Sequence, residues 1–219
     1  MITAPHSVLG LLEPLLFALV NTALISAGAF AVAILLGLAL ASLRHLVRAR
    51  AIRLCIQAYV EIFRNVPSLT HLFILYYGLA YAGLRLGSIT AAILGLGLIG
   101  AASLSEVYRA GLQSVPYGQV EAGLAQGMNP LTTFRFIVLP QMWRVALPPI
   151  GNYAVQLIKD TSLVAAIGAP EIMFTARNLV VNSFETTLVY TLTAGLYVAV
   201  CMPLIVLIQT FERRLNMSR

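Results

Sequence analysis

Long uncharged stretches alternate along the chain with short basic ones. No charged residue lies between Glu13 and Arg44, between Arg64 and Arg85, or between Arg85 and Glu106. Another such run covers residues 186–211 and stops at Glu212, Arg213 and Arg214. A helix needs about 20 apolar residues to cross a hydrocarbon core roughly 30 Å thick. Membrane spans are therefore expected at 15–43, 59–83, 86–106 and 186–211. The stretch between Arg144 and Glu171 differs, because residues 145–158 are too few to cross and Lys159 and Asp160 interrupt them. Its simplest account is a further span at 145–168, with an ion pair inside or near it. The pattern predicts an all-α membrane protein with five spans in a single transmembrane domain over residues 1–219. The first run is too long for a secretory signal, and no basic segment precedes it, so it is expected to be retained.

Composition strengthens this picture. Of 219 residues, 59% are hydrophobic and 10% charged, with a mean hydropathy of +0.88. A soluble domain carries about 25% charged residues, so disorder, a collagen-like chain and an ordinary cytosolic enzyme are excluded. The formal charge of +6 would suggest nucleic acid in a soluble protein. Here the arginines fall between apolar runs, which is the signature of orientation in a bilayer, and no nucleic-acid partner is expected. Arg44, Arg48, Arg50 and Arg53 follow the first run. Arg109, Arg135 and Arg144 lie between the third and fourth, and Arg213, Arg214 and Arg219 follow the last. The opposite side has Arg85 and Arg177 beside Glu13, Glu171 and Glu185. The N-terminus is therefore expected outside and the C-terminus in the cytoplasm. Cys55 and Cys201 have no metal-ligand spacing, and core packing is expected of both.

The segment 109–144 is too polar and too punctuated to span. Residues 117–127 read as a short helix stopped by Gly127, and after Met128-Asn129-Pro130 a second amphipathic piece runs from Leu131 to Leu139 and ends at Pro140. Helix, glycine turn and helix suit docking into a groove on a partner; the alternative is an interfacial hairpin lying on lipid.

The spacing Glu121-Ala122-Gly123, three residues, Gly127, nine residues, Ile137-x-Leu139-Pro140 resembles the EAA signature of ABC-importer permeases. Gly123 stands where that signature has its second alanine, which should slightly loosen the helix. Three other runs resemble the polar amino acid uptake branch of the family: Phe63-Arg64-Asn65-Val66-Pro67, the segment 105–119, and Leu157 to Leu163 with its Lys159-Asp160-Thr161-Ser162 core. The resemblance implies a type I (MetI-like) permease subunit of the bacterial inner membrane. It would work with a second permease in a homo- or heterodimer, a cytoplasmic ABC ATPase dimer and a periplasmic or lipid-anchored amino-acid-binding protein. It also implies that Gln119, Glu121, Ala122, Gly123 and Gly127 belong to a coupling helix seated in a cleft of the ATPase.

No Gly-x-x-x-x-Gly-Lys-Ser/Thr stretch exists, and the only lysine, Lys159, precedes an aspartate. ATP and Mg are thus expected to be used by the partner, with no cofactor or metal on this chain. Gly95-Leu96-Gly97-Leu98-Ile99-Gly100 fits GxGxxG, but it lies within an apolar run with no preceding soluble strand. Close helix packing through small residues is the better reading.

Ionisable groups at membrane depth are costly and face a cavity or a partner. A zwitterionic amino acid offers a carboxylate for Arg64 and an ammonium for Asp160, with Thr161 and Ser162 supplying hydroxyls. The competing account has Lys159 and Asp160 neutralising each other. Glu106 and Arg109, three apart, are expected to form a structural ion pair. His71 is expected to be packed or pore-facing, and Tyr76, Tyr77, Tyr81 and Trp143 to be interfacial anchors. No catalytic triad or carboxylate pair is visible, so no enzyme site is expected. The alternatives are the same permease carrying another small solute, an ion-coupled secondary transporter or channel, and a membrane scaffold.

Overall fold

The computed structural model describes residues 8–47 and 49–216. Arg48 and Arg219, counted above for orientation, lie outside the described residues, as does the segment before residue 8. Among the described residues every regular element is helical.

The spine is α1, Val8–Leu46, whose uncharged body is bracketed by the charges that predicted it. Its buried face is mostly small: Ala18, Ser26, Ala29, Ala33, Gly37 and Ala41 recur at helical spacing. Against it lies α5, Ser88–Gln113. The seam between them is built on glycine. A Cβ on Gly97 would sit 2.7 Å from Val32 Cβ, one on Gly37 3.1 Å from the Ala101 carbonyl oxygen, and one on Gly100 would collide with Ala33 and Tyr153. The GxGxxG run is therefore a helix-packing surface, since small residues let backbones approach where water cannot drive association.

Between these two helices the chain departs from one continuous span. Helix α2, Arg50–Asn65, buries only Ile56 and Val60. It ends at Val66, which is extended (φ −94°, ψ 139°) because the following Pro67 disfavours helical geometry in the residue before it. The chain restarts as α3, Ser68–Phe73, passes through a π turn at Ile74–Gly78 and closes with α4, Leu79–Tyr81. The expected 59–83 span is thus two pieces divided at Pro67.

The loop after α5 holds α6, Tyr117–Ala125, then α7, Pro130–Thr133, a π turn at Phe134–Val138, and α8, Leu139–Asp160. The helix expected to end at Pro140 instead runs straight on. Pro140 falls in the first turn of α8, immediately after the π turn, where a missing backbone N–H is tolerated. A 3-10 segment, Thr161–Ile167, follows and stops at left-handed Gly168 (φ 74°). Then come α9, Ile172–Ser183, and α10, Thr186–Asn216.

By length and composition, Val8–Leu46, Ser88–Gln113 and Thr186–Arg213 can each cross a membrane. Pro130–Ile167 and Ile172–Ser183 qualify together as a pair bent by 51°. Three core clusters line the spine. Leu11, Leu15 and Ala18 meet Ile172, Ala176 and Val189. Ile25 and Ala29 meet Leu72, Leu96, Leu157 and Val164. Ala33 and Ala41 meet Leu104, Tyr108, Met142 and Ile150. Cys201 is buried as expected, but Cys55 is exposed on the outward face of α2, so core packing does not hold for it.

Candidate functional site: a projecting loop and a broken helix

The loop is ordered by local chemistry. Gly127 takes φ +83°, a conformation glycine adopts without strain. It lets the Gly127 N–H donate to the Leu124 carbonyl (3.0 Å) and the Met128 N–H to the Gly123 carbonyl (3.2 Å). That pair of bonds is a Schellman motif, which reverses the chain at the end of α6. Asn129 then caps α7, its Oδ1 accepting from the Thr132 N–H at 2.8 Å. Gln119, Glu121, Ala122 and Gly127 are exposed, whereas Gly123 is buried. An alanine Cβ at Gly123 would come 2.7 Å from Ile137 Cδ1 and 3.0 Å from Thr133 Cγ2. The departure from the EAA pattern is the point where α6 rests on the π turn. It acts through packing, beyond the loosening of the helix expected from sequence. Around it the loop leaves Tyr117, Leu124, Leu131 and Phe136 exposed.

The base of the loop is held by a clamp. Glu106 Oε1 accepts from Arg44 Nη1 (2.9 Å) and Oε2 from Arg109 Nε (2.9 Å). The Glu106–Arg109 pair was expected; Arg44 joins it from the end of α1, 62 residues away in sequence. Arg109 also donates to Gln113 (2.8 Å).

The charges expected to face solute lie on two elements. Arg64 is exposed in the last turn of α2. Asp160 is half-buried at the end of α8, and its Oδ1 accepts from Gln156 Nε2 at 2.8 Å. Asp160 and Lys159 form no salt bridge within 4 Å; consecutive residues of a helix point to different faces. Thr161 is fully buried and donates to the Ile158 carbonyl (2.7 Å), while half-buried Ser162 donates to the Lys159 carbonyl (2.8 Å). Arg64 and Asp160 do not touch each other. The elements that follow them are neighbours, because Leu72 of α3 packs with Val164 and Ile167 of the 3-10 segment.

Glu171, expected only as one of the charges on the outer side, has a structural role. Glu171 is fully buried. Its carboxylate accepts from the Phe174 N–H (2.7 Å), the Met173 N–H (2.9 Å) and the Tyr197 hydroxyl (3.0 Å). It caps α9 and ties it to α10. Asn21 Nδ2 donates to the Pro170 carbonyl (2.7 Å), and the Ile172 N–H donates to Thr22 Oγ1 (3.2 Å), fastening the same break to α1. A carboxylate just ahead of an apolar helical run was the available signal. His71 is buried and stacks on Phe63 (centroids 4.5 Å, planes 11° apart), joining α3 to α2 across the Pro67 break. Tyr77 and Tyr81 are exposed, while Tyr76 packs against the central cluster.

Residues 10–217 match the family described as binding-protein-dependent transport system inner membrane component. The chain belongs to this family. As such it is a non-catalytic, multi-pass subunit of an ABC importer in the inner membrane, and the family works with an ATPase subunit and a binding protein. Among its relatives, the probable glutamine ABC transporter permease protein GlnM of Bacillus subtilis (strain 168) is 33% identical over 198 residues, covering 90% of this chain and 91% of that one. The probable amino-acid ABC transporter permease protein YckA of the same organism is 39% identical over 160 residues, 73% and 71% of the two chains. The crystal structure of an amino acid ABC transporter with histidines superposes with a TM-score of 0.89 at 27% identity, over 98% of this chain and 100% of that one. The permease fold is thus the type I fold expected from the EAA spacing.

Proposed function

We propose that this permease carries a polar amino acid inward, driven by ATP that its partner ATPase hydrolyses with Mg. The observation that carries the reading is the loop. An exposed helix bearing Gln119, Glu121 and Ala122 is reversed at Gly127 and seated through buried Gly123 on a helix that continues from Pro130 to Ile167. A closing motion of the ATPase pair applied to α6 is passed to that helix as rigid-body tilt. The two relatives and the solved transporter, named for glutamine or amino acids, support the cargo class. In this reading Arg64 faces the solute carboxylate and Asp160 the ammonium, with Thr161 and Ser162 beside it. α2 and residues 68–81 together make the crossing that completes five spans, the loop and the C-terminus are cytoplasmic, and a second permease closes the path. The single transmembrane domain covers residues 1–219, with the coupling loop at 109–144.

The test is uptake of radiolabelled polar amino acids into proteoliposomes containing the permease, its co-expressed ATPase and its binding protein. The expected result is uptake that requires internal ATP and falls at least about tenfold in Asp160→Ala. Uptake that persists without ATP on an ion gradient, or full solute binding to both Asp160→Ala and Arg64→Ala complexes, overturns the respective parts.

A further inference from the structure

A groove of about 580 Å³ opens at the loop end of the bundle, lined by α1, α2 and α5. Arg44, His45, Arg50, Arg53 and Arg109 contribute to its wall, and no carboxylate lines it among the described residues. Glu106 lies behind that wall, bonded to both Arg44 and Arg109, so one carboxylate faces two guanidiniums there. Arg50 and Arg53 add further positive charge from the first turn of α2. The surroundings are apolar and open: Leu43, Leu46, Ile52 and Leu54 are 43%, 76%, 41% and 54% exposed. A helix with arginines beside exposed leucine and isoleucine suits the boundary between headgroups and acyl chains. Basic pockets between membrane helices attract anionic headgroups, with about 1 kcal/mol, or about fivefold, for each basic group near the surface.

We infer that this groove seats the phosphate of an anionic phospholipid from the leaflet on the loop side. The inference rests on the membrane placement given above but not on the cargo. Arg50 and Arg53 hold the phosphate, the Glu106 clamp supplies surplus positive charge behind it, and Leu46, Ile52 and Leu54 lie along the acyl chains. A free phosphate has no use for the exposed leucines.

Native mass spectrometry of the full chain with its co-expressed ATPase, in detergent with added dioleoylphosphatidylglycerol or dioleoylphosphatidylcholine, tests this. The Arg50→Gln/Arg53→Gln pair is expected to retain phosphatidylglycerol about 25-fold less than the parent, with phosphatidylcholine unchanged. The Arg135→Gln/Arg144→Gln pair, with the same charge change elsewhere, is expected to match the parent. If the first pair does not purify as folded protein, Leu54→Glu, a negative charge on the groove wall, makes the same comparison. Equal phosphatidylglycerol retention in parent and variant overturns the inference. So does displacement of the lipid by inorganic phosphate, which marks a free-anion site. Loss of the ATPase with lipid retained also overturns it, because the groove is then a protein interface.

Discussion

Along the seam of α1 and α5, Gly97 and Gly100 are buried mid-helix with Val32, Ala33 and Tyr153 pressed against them from neighbouring helices. At α6, Gly123 is likewise pressed against Ile137 and Thr133, but residues on either side of it are exposed. The contact chemistry is the same and the surroundings are opposite. In the seam, contact continues for many turns, from Gly28 over Ile93 to Gly37 over Ala101 and Leu104, so the two helices can move only as one body. At α6 the contact is a single point on a short element whose other faces are open to a partner. A long glycine contact makes a frame, and an isolated one makes a joint.

The largest effect is expected from Gly97→Leu. With Val32 already 2.7 Å from an ideal Cβ, the seam must part, at a cost of about 3 kcal/mol. Size-exclusion chromatography and thermal melting should show little monodisperse protein; a normal melt would show that the seam is not a frame. Glu121→Lys should separate the joint from the frame, because its side chain is exposed. Uptake should fall at least about tenfold through charge reversal at the docking face, with the melting temperature unchanged. Glu171→Ala leaves the Met173 and Phe174 N–H groups and the Tyr197 hydroxyl without their carboxylate. A loss of about 2–3 kcal/mol is expected, read as a lower melting temperature. The smallest effect belongs to Gly123→Ala. Helix propensity favours alanine by about 0.5–1 kcal/mol, against the close approach of Ile137. The single variant should be near neutral by melting, and Gly123→Ala/Ile137→Val more stable than the parent. A large loss in the double variant would mean that something beyond contact distance fixes glycine there.

The uncharged bodies of α1 and α10 were legible between the charges at Glu13 and Arg44 and ahead of Glu212, although both helices run past those charges. The turn at Gly127 was legible because a left-handed residue announces itself chemically. Pro67 lies inside the run expected to cross as one span, and the structure makes it a full break. Pro140 gave the opposite signal from its outcome, since a π turn ahead of a proline cannot be read from composition. Glu171 was illegible in role because its meaning depends on Tyr197, 26 residues on, and on a break sewn to Asn21 and Thr22 about 150 residues earlier. Loop residues of the candidate site were therefore readable as local pattern. The arrangement of Arg64 and Asp160 on separate elements was not.

The continuous helical rod Pro130–Ile167, 38 residues long, carries the tip of the loop at one end and Asp160 near the other. An element that joins two sites transmits in both directions. By linkage, whatever solute favours one tilt must alter the grip of the nucleotide-burning subunit on α6 by the same factor that this grip alters solute affinity. Titrating cargo should therefore shift the dissociation constant of the two subunits, a readout that needs no transport at all.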